Sequence, residues 1–187
     1  MQQIILASQS PRRKQLLEWA EVPFEIIVKE TDESFPADMP IKDVPVHIAR
    51  NKALTIQATL TNDARPIVAA DTVVVLNNKV IGKPKDREDA IAILSSLAGN
   101  SHQVITGVVI LHGTKEIAFA DVTSVAFHTL TQEEIVHYVD TYKPYDKAGA
   151  YAIQEWIGVV GIKGVEGDFY NVMGLPVSRV VQALKGI

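Results

Sequence analysis

The stretch Pro66 to Leu76, PIVAADTVVVL, constrains the fold more than any other. Its residues are apolar at odd and even positions alike. A strand of this kind has no face fit for water and belongs in a sheet covered on both sides. Asp71 and Thr72 interrupt the run. A carboxylate among Val and Ala is expensive to desolvate unless it has a partner such as a metal or a lysine. The alternative is a strand-end residue that caps a turn. The cost of an unpaired buried carboxylate favours a functional role.

The start of the chain, IILASQSPRRKQLL from Ile4 to Leu17, adds a second constraint. Ile4 to Ala7 reads as a short buried strand. Ser10 suits an N-cap and Pro11 the first helical position, so a helix is expected from Pro11 to about Ala20, with Leu16, Leu17 and Ala20 facing inward. Arg12, Arg13 and Lys14 fill its first turn, at the positive end of the helix dipole. Either solvent screens these cations, or an anion such as phosphate sits against the free N–H groups and offsets them.

The remaining chain alternates helices and strands. Phe24 to Lys29 reads as a strand, and Glu30 to Ser34 as an acidic loop that is either a solvated turn or bound to a cation. Pro45 to Leu60 reads as a helix with Val46, Ala49, Ala53, Ile56 and Leu60 in one apolar stripe. Lys52 lies a turn from both Ile48 and Ile56. Spacing favours a lysine that buries its stem and keeps its ammonium in water over one aimed into a cleft. Asn77-Asn78 suggests a tight hairpin into Val80-Ile81, followed by the loop Gly82 to Asp86 with Lys83. Asp86 is an expected N-cap for a helix from Arg87 to Leu97. Gln103 to Leu111 and Ile117 to Phe127 read as a long hairpin, and Thr131 with Glu134 as a capping box for a helix to Thr141. Val159–Val165 and Asp168–Val172 read as a last hairpin, and Val177 to Leu184 as the closing helix. The pattern predicts an α/β fold with a mixed sheet and flanking helices.

Composition removes several functions. At 187 residues the chain is one domain or two lobes sharing a sheet. A net charge of −4 argues against a general nucleic-acid binder. Cysteine is absent, which removes thiolate catalysis and Cys-based metal sites and fits a reducing compartment. The longest apolar run is too short to span a bilayer, and the N-terminus lacks a signal-peptide pattern, so a cytoplasmic protein without membrane partners is expected. The five histidines show no zinc spacing. Neither GxGxxG, nor a phosphate-binding GxxxxGK[ST], nor GxSxG occurs. Arg12, Arg13, Lys52 and Lys83, with Asp71 and the 30–33 acids, suit phosphate-ester chemistry aided by a hard divalent metal.

Eight pieces stand in an order that resembles the Maf family of nucleoside triphosphate pyrophosphatases: SQSPRR (8–13), ETDES (30–34), ARNKA (49–53), AADTVV (69–74), GKPKD (82–86), HQVITGV (102–108), DKAGAYAIQ (146–154) and NVMGLP (171–176). The resemblance covers nearly the whole chain. It implies the elongated, two-lobed Maf/Ham1-like fold of the inosine-triphosphate pyrophosphatases, here a single domain over 1–187 around a cleft. It implies cleavage of a nucleoside triphosphate to the monophosphate and pyrophosphate with Mg2+ or Mn2+, by a homodimer. By matching motif, Asp71 is the proton acceptor, and Ser8, Arg12, Arg13, Lys52 and Lys83 hold the triphosphate. Glu33 joins Asp71 at the metal, and Arg12, Thr72 and Gln154 govern base choice. SPRR, ADT and the glutamine after AGAY resemble the branch acting on dTTP and UTP. A sister branch with SPWRR prefers 7-methyl-GTP. Asp168-Phe169-Tyr170 departs from the Ser-Tyr of many relatives. A nucleotide-binding regulator of cell division and a purine-type pyrophosphatase are the alternatives.

Overall fold

The computed structural model describes residues 2–61 and 63–187. Among them one mixed sheet runs in the order β2-β1-β3-β5-β6-β7, with β4 paired to β3. Its strands are β1 (Ile4–Leu6), β2 (Phe24–Ile26), β3 (Ile67–Leu76), β4 (Lys79–Ile81), β5 (Ser101–His112), β6 (Lys115–Phe127) and β7 (Ile162–Glu166). The helices are α1 (Pro11–Trp19), α2 (Val44–Gln57), α3 (Arg87–Leu97), α4 (Gln132–Tyr142), α5 (Trp156–Gly161), α6 (Phe169–Met173) and α7 (Val177–Lys185). The chain divides into two compact units. The first comprises Met1–Thr72, Thr106–Asp121 and Gly174–Ile187; the second comprises Val73–Ile105 and Val122–Met173.

In the first unit β1 lies parallel to both β2 and β3, with Ile5 opposite Ile67 and Leu6 opposite Val68. Parallel neighbours need a covering layer, and α2 supplies it on one face. Ala49, Ala53 and Ile56 of α2 pack on Ile5, Ala7, Ile67, Ala69, Val109 and Leu111, all buried. Small alanines let the helix approach the sheet closely. The approach is tightest at Gly107 of β5, where a Cβ would lie 2.2 Å from the Val46 backbone nitrogen. Val46 and Leu60 of the expected stripe are partly buried and pack on the same cluster, Leu60 from beyond the end of α2 at Gln57, and the helix also buries Val44 and Ile48.

In the second unit, Asn77 and Asn78 both take positive φ (50° and 60°), the twist a two-residue hairpin needs, and β4 returns antiparallel with Val75 opposite Val80. Asp86 caps α3 through the Asp89 amide at 2.8 Å. Thr131 and Glu134 form the expected capping box on α4. Helices α3 and α4 pack together, and Arg87 grips Asp140 through two hydrogen bonds of 2.6 and 3.0 Å.

Residues 156–173 correct the expected last hairpin. Trp156–Gly161 and Phe169–Met173 are short helices, and β7 pairs antiparallel with β6. The Asp168 carboxylate accepts the Tyr170 amide at 2.8 Å, which starts a turn where alternation suggests a strand. Phe24–Lys29 is also shorter than expected, ending as a strand at Ile26.

Candidate active site

The site is built in the first unit, where β1 ends alongside β3 and β3 runs on through Asp71 and Thr72. The Ala7 amide donates to the Val68 carbonyl at 2.9 Å, so Ser8 leaves β1 level with the residues just before Asp71. Along β3, alternation puts Asp71 on the face of Ile67 and Ala69, which α2 covers, and Thr72 on the other. Each side chain finds its partner accordingly.

On the α2 face, the Lys52 ammonium donates to Asp71 Oδ1 at 2.8 Å and pairs with Glu33 Oε1 at 2.7 Å. Lys52 and Asp71 are largely withdrawn from water, their side chains 18% and 16% exposed, whereas Glu33 is 53% exposed. The lysine therefore does more than bury its stem, as spacing alone favoured; its ammonium is aimed at two carboxylates from two other segments. The acidic loop splits its roles. Asp32 folds back on Ser34, accepting from the amide at 2.8 Å and the hydroxyl at 2.7 Å, and these bonds hold its carboxyl below the usual range. Glu33 points to Lys52.

On the other face, Arg13 is buried, where the apolar pattern had assigned the third inward place to Ala20, here half-buried. Its Nε donates to the Gly174 carbonyl at 2.7 Å, one Nη to Ser8 Oγ at 3.0 Å and the other to Thr72 Oγ1 at 3.1 Å. All three acceptors are neutral. Burial lowers the guanidinium's pKa, the Asp71 charge offsets part of this, and Arg12 adds to the lowering. A buried cation whose hydrogen bonds go to neutral acceptors favours an additional anion. The expected cap is present, with Ser10 Oγ accepting from the Arg13 amide at 3.5 Å, and the first turn of α1 carries no acid. Arg12 is half-buried on the same turn.

Thr72 also meets Thr106 Oγ1 at 2.9 Å, and Thr106 is fully buried in β5. Thr106 and the Gly174 carbonyl had no role assigned from sequence. The only signal was a polar residue inside the apolar run VITGVVIL. Ser8, Arg13, Glu33, Lys52, Asp71 and Thr72 are thus joined within the first unit. Lys83 and Gln154 belong to the second unit, both exposed, Lys83 on the loop after β4 and Gln154 on the turn before α5.

A family model described as Maf-like protein matches residues 3–187. The chain belongs to the Maf family. It is 48% identical over 182 residues to a protein of Cytophaga hutchinsonii named dTTP/UTP pyrophosphatase, covering 97% of this chain and 83% of that one. It is 46% identical to a Parabacteroides distasonis protein of the same name, covering 97% and 94%, and 45% identical to one from Bacteroides thetaiotaomicron, covering 98% and 95%. Among solved structures, this Maf chain resembles the Staphylococcus aureus Ham1 protein with a TM-score of 0.53 at 16% identity, covering 99% of both chains. A Ham1 protein from Coxiella burnetii gives 0.51 at 13% identity over all of both chains. These likenesses establish the mixed α/β fold. No helix among the described residues is long and apolar enough to cross a membrane.

Proposed function

We propose that this Maf protein hydrolyses nucleoside triphosphates, dTTP and UTP foremost, to the monophosphate and pyrophosphate. One observation carries the reading. Lys52 holds a half-buried Asp71 on one side of β3, while a buried Arg13 hydrogen-bonded to three neutral acceptors stands on the other. The first supports the reading of Asp71 as a proton acceptor, and the second is a charge suited to a polyanion. The base preference rests on the relatives named dTTP/UTP pyrophosphatase.

In the reaction we infer, a water attacks the α-phosphorus and gives its proton to Asp71. The new O–P bond forms as the bond from the α-phosphorus to the bridging oxygen breaks, and pyrophosphate leaves with that oxygen. Lys52 orients Asp71 and stabilises charge that develops on phosphate oxygens. Ser8, Arg12 and Arg13, at the start of α1, hold the triphosphate with the aid of the free helix amides, and Lys83 serves the same end. Arg12, Thr72 and Gln154 govern base choice.

The donor set fits a hard divalent cation. Glu33 and Asp71 bracket a single ammonium, and no group of three or more acidic or histidine side chains arranged to hold a metal occurs among the described residues. Mg2+ or Mn2+ would therefore take these two carboxylates and complete its shell with phosphate oxygens and water, as magnesium does. Bound there, the metal neutralises phosphate charge. The same proposal makes the protein a cytoplasmic homodimer, located with its substrate pool, that takes neither nucleic acid nor membrane as partner.

The test is pyrophosphate release from a panel of pyrimidine and purine triphosphates with Mg2+ or Mn2+. The expected outcome is turnover of dTTP and UTP ahead of purines. No turnover of any triphosphate by folded protein would refute the reading. A purine-type enzyme would reverse the order, and a mere nucleotide-binding regulator would bind without turnover.

A further inference from the structure

We propose that Tyr138, Glu155 and Lys147 form a positioning network that holds the segment 146–154 so that Gln154 meets the substrate base at one place. The inference rests on the reading of Gln154 as a base-choosing residue.

The segment is irregular, yet its polar backbone is satisfied piece by piece within the second unit. The Gly149 amide donates to the Gly82 carbonyl at 3.1 Å, beside Lys83, and the Ala150 amide donates to the Lys147 carbonyl at 3.0 Å. The Ala152 amide donates to Tyr138 Oη at 3.1 Å, and that hydroxyl in turn donates to Glu155 Oε2. Lys147 Nζ pairs with Asp146 at 2.8 Å and with Glu155 Oε1 at 3.6 Å, its side chain only 10% exposed. Tyr138 is fully buried on α4. One hydroxyl therefore ties α4 to the backbone at 152 and to the side chain at 155, on either side of Gln154. Gly149 permits the bend. Its φ is 73°, and a Cβ there would stand 2.9 Å from Val74 Cγ2.

Between Gly149 and Glu155 every residue is buried or half-buried except Gln154, which is exposed. A segment clamped on both sides that presents a single amide to solvent is built to present that amide. An amide can both donate and accept, so it can match one edge of a base and mismatch another, but only if its place is fixed. Lys147 is a buried charge and Glu155 a half-buried one, and holding them there costs desolvation that their mutual geometry offsets.

The experiment measures kcat and KM of the full chain for dTTP, UTP and dATP in Tyr138→Phe, Glu155→Gln, Glu155→Ala and Gln154→Ala variants. Tyr138→Phe keeps the ring and removes both hydroxyl hydrogen bonds. The expected result is a rise in KM for dTTP of about fivefold to tenfold, the scale of one hydrogen bond. Alongside it, kcat stays within about twofold and the dTTP preference over dATP falls. Glu155→Gln, which still accepts from Tyr138, changes less than Glu155→Ala. A lowered melting temperature with KM and preference unchanged in Tyr138→Phe would show a merely structural network and overturn the inference alone, provided Gln154→Ala loses the preference. If Gln154→Ala keeps the full preference, the reading of Gln154 fails and the inference fails with it. Should Tyr138→Phe not fold, Glu155→Gln against Glu155→Ala carries the same comparison.

Discussion

Replacing Arg13 by methionine removes the one side chain that ties Ser8, Thr72 and Gly174 together. The magnitude follows from its three hydrogen bonds. Each is donated by a charged group and is worth about 1.5–3 kcal/mol in a protein. Part of that is returned because the buried charge disappears and methionine fills much of the space. Ser8 keeps the Ser10 amide at 3.3 Å and Thr72 keeps Thr106, so not every acceptor is stranded. The net loss is about 2–4 kcal/mol. For a chain of this length that lowers the melting temperature by roughly 5–12 °C. The assay is thermal unfolding with and without a non-hydrolysable dTTP analogue. At 100 times its Kd the analogue stabilises the wild type by about 2.7 kcal/mol. The same concentration stabilises Arg13→Met far less, because the cation that favours the polyanion is gone. An Arg13→Met protein that melts with the wild type and gains the same ligand shift would refute both the strut and the anion-binding role.

Lys52→Met leaves Asp71 and Glu33 without their shared ammonium, so pyrophosphate release from dTTP falls by about a hundredfold or more. In the second unit, His102 is 2% exposed and burial pushes its pKa down to about 4 from 6.5. Its Nε2 meets Tyr151 Oη at 2.7 Å. The unfolded chain therefore takes up a proton that the folded one refuses. Stability is intact above pH 6.5 and falls by about 3 kcal/mol as pH drops towards 4. Urea unfolding at pH 7 and 4.5 measures this, and His102→Gln removes that part of the slope. Gly107→Ala forces a methyl into the backbone of α2 and destabilises by about 3 kcal/mol or more, read by chemical unfolding.

The elements legible in the sequence carry their signal within a few residues. Thr131 and Glu134 close α4, Asp86 opens α3, and Asn77-Asn78 turns the chain, each by local hydrogen bonding or positive φ. Residues 156–161 were misread because Val159 and Val160 carry strand propensity. Their helix α5 is six residues long and is set instead by tertiary packing, with Gly158 pressed against the Ile153 carbonyl. In the site, Asp71 was legible as a polar residue with no business in an apolar strand. Arg13 was visible as a cation in the wrong turn, yet its burial was not, since its partners lie 5, 59 and 161 residues away. Lys52 looked like an ordinary amphipathic lysine, because helix spacing says nothing about which strand end faces it.

The most direct test replaces Asp71 by asparagine, which keeps the shape and removes the proton acceptor. Pyrophosphate release from dTTP and binding of its non-hydrolysable analogue are measured on the same protein. The account predicts turnover lower by about a thousandfold or more, with the analogue still bound within a few-fold of the wild-type Kd. Turnover within a few-fold of the wild type would contradict it, because Asp71 would then not be the group that takes the water's proton.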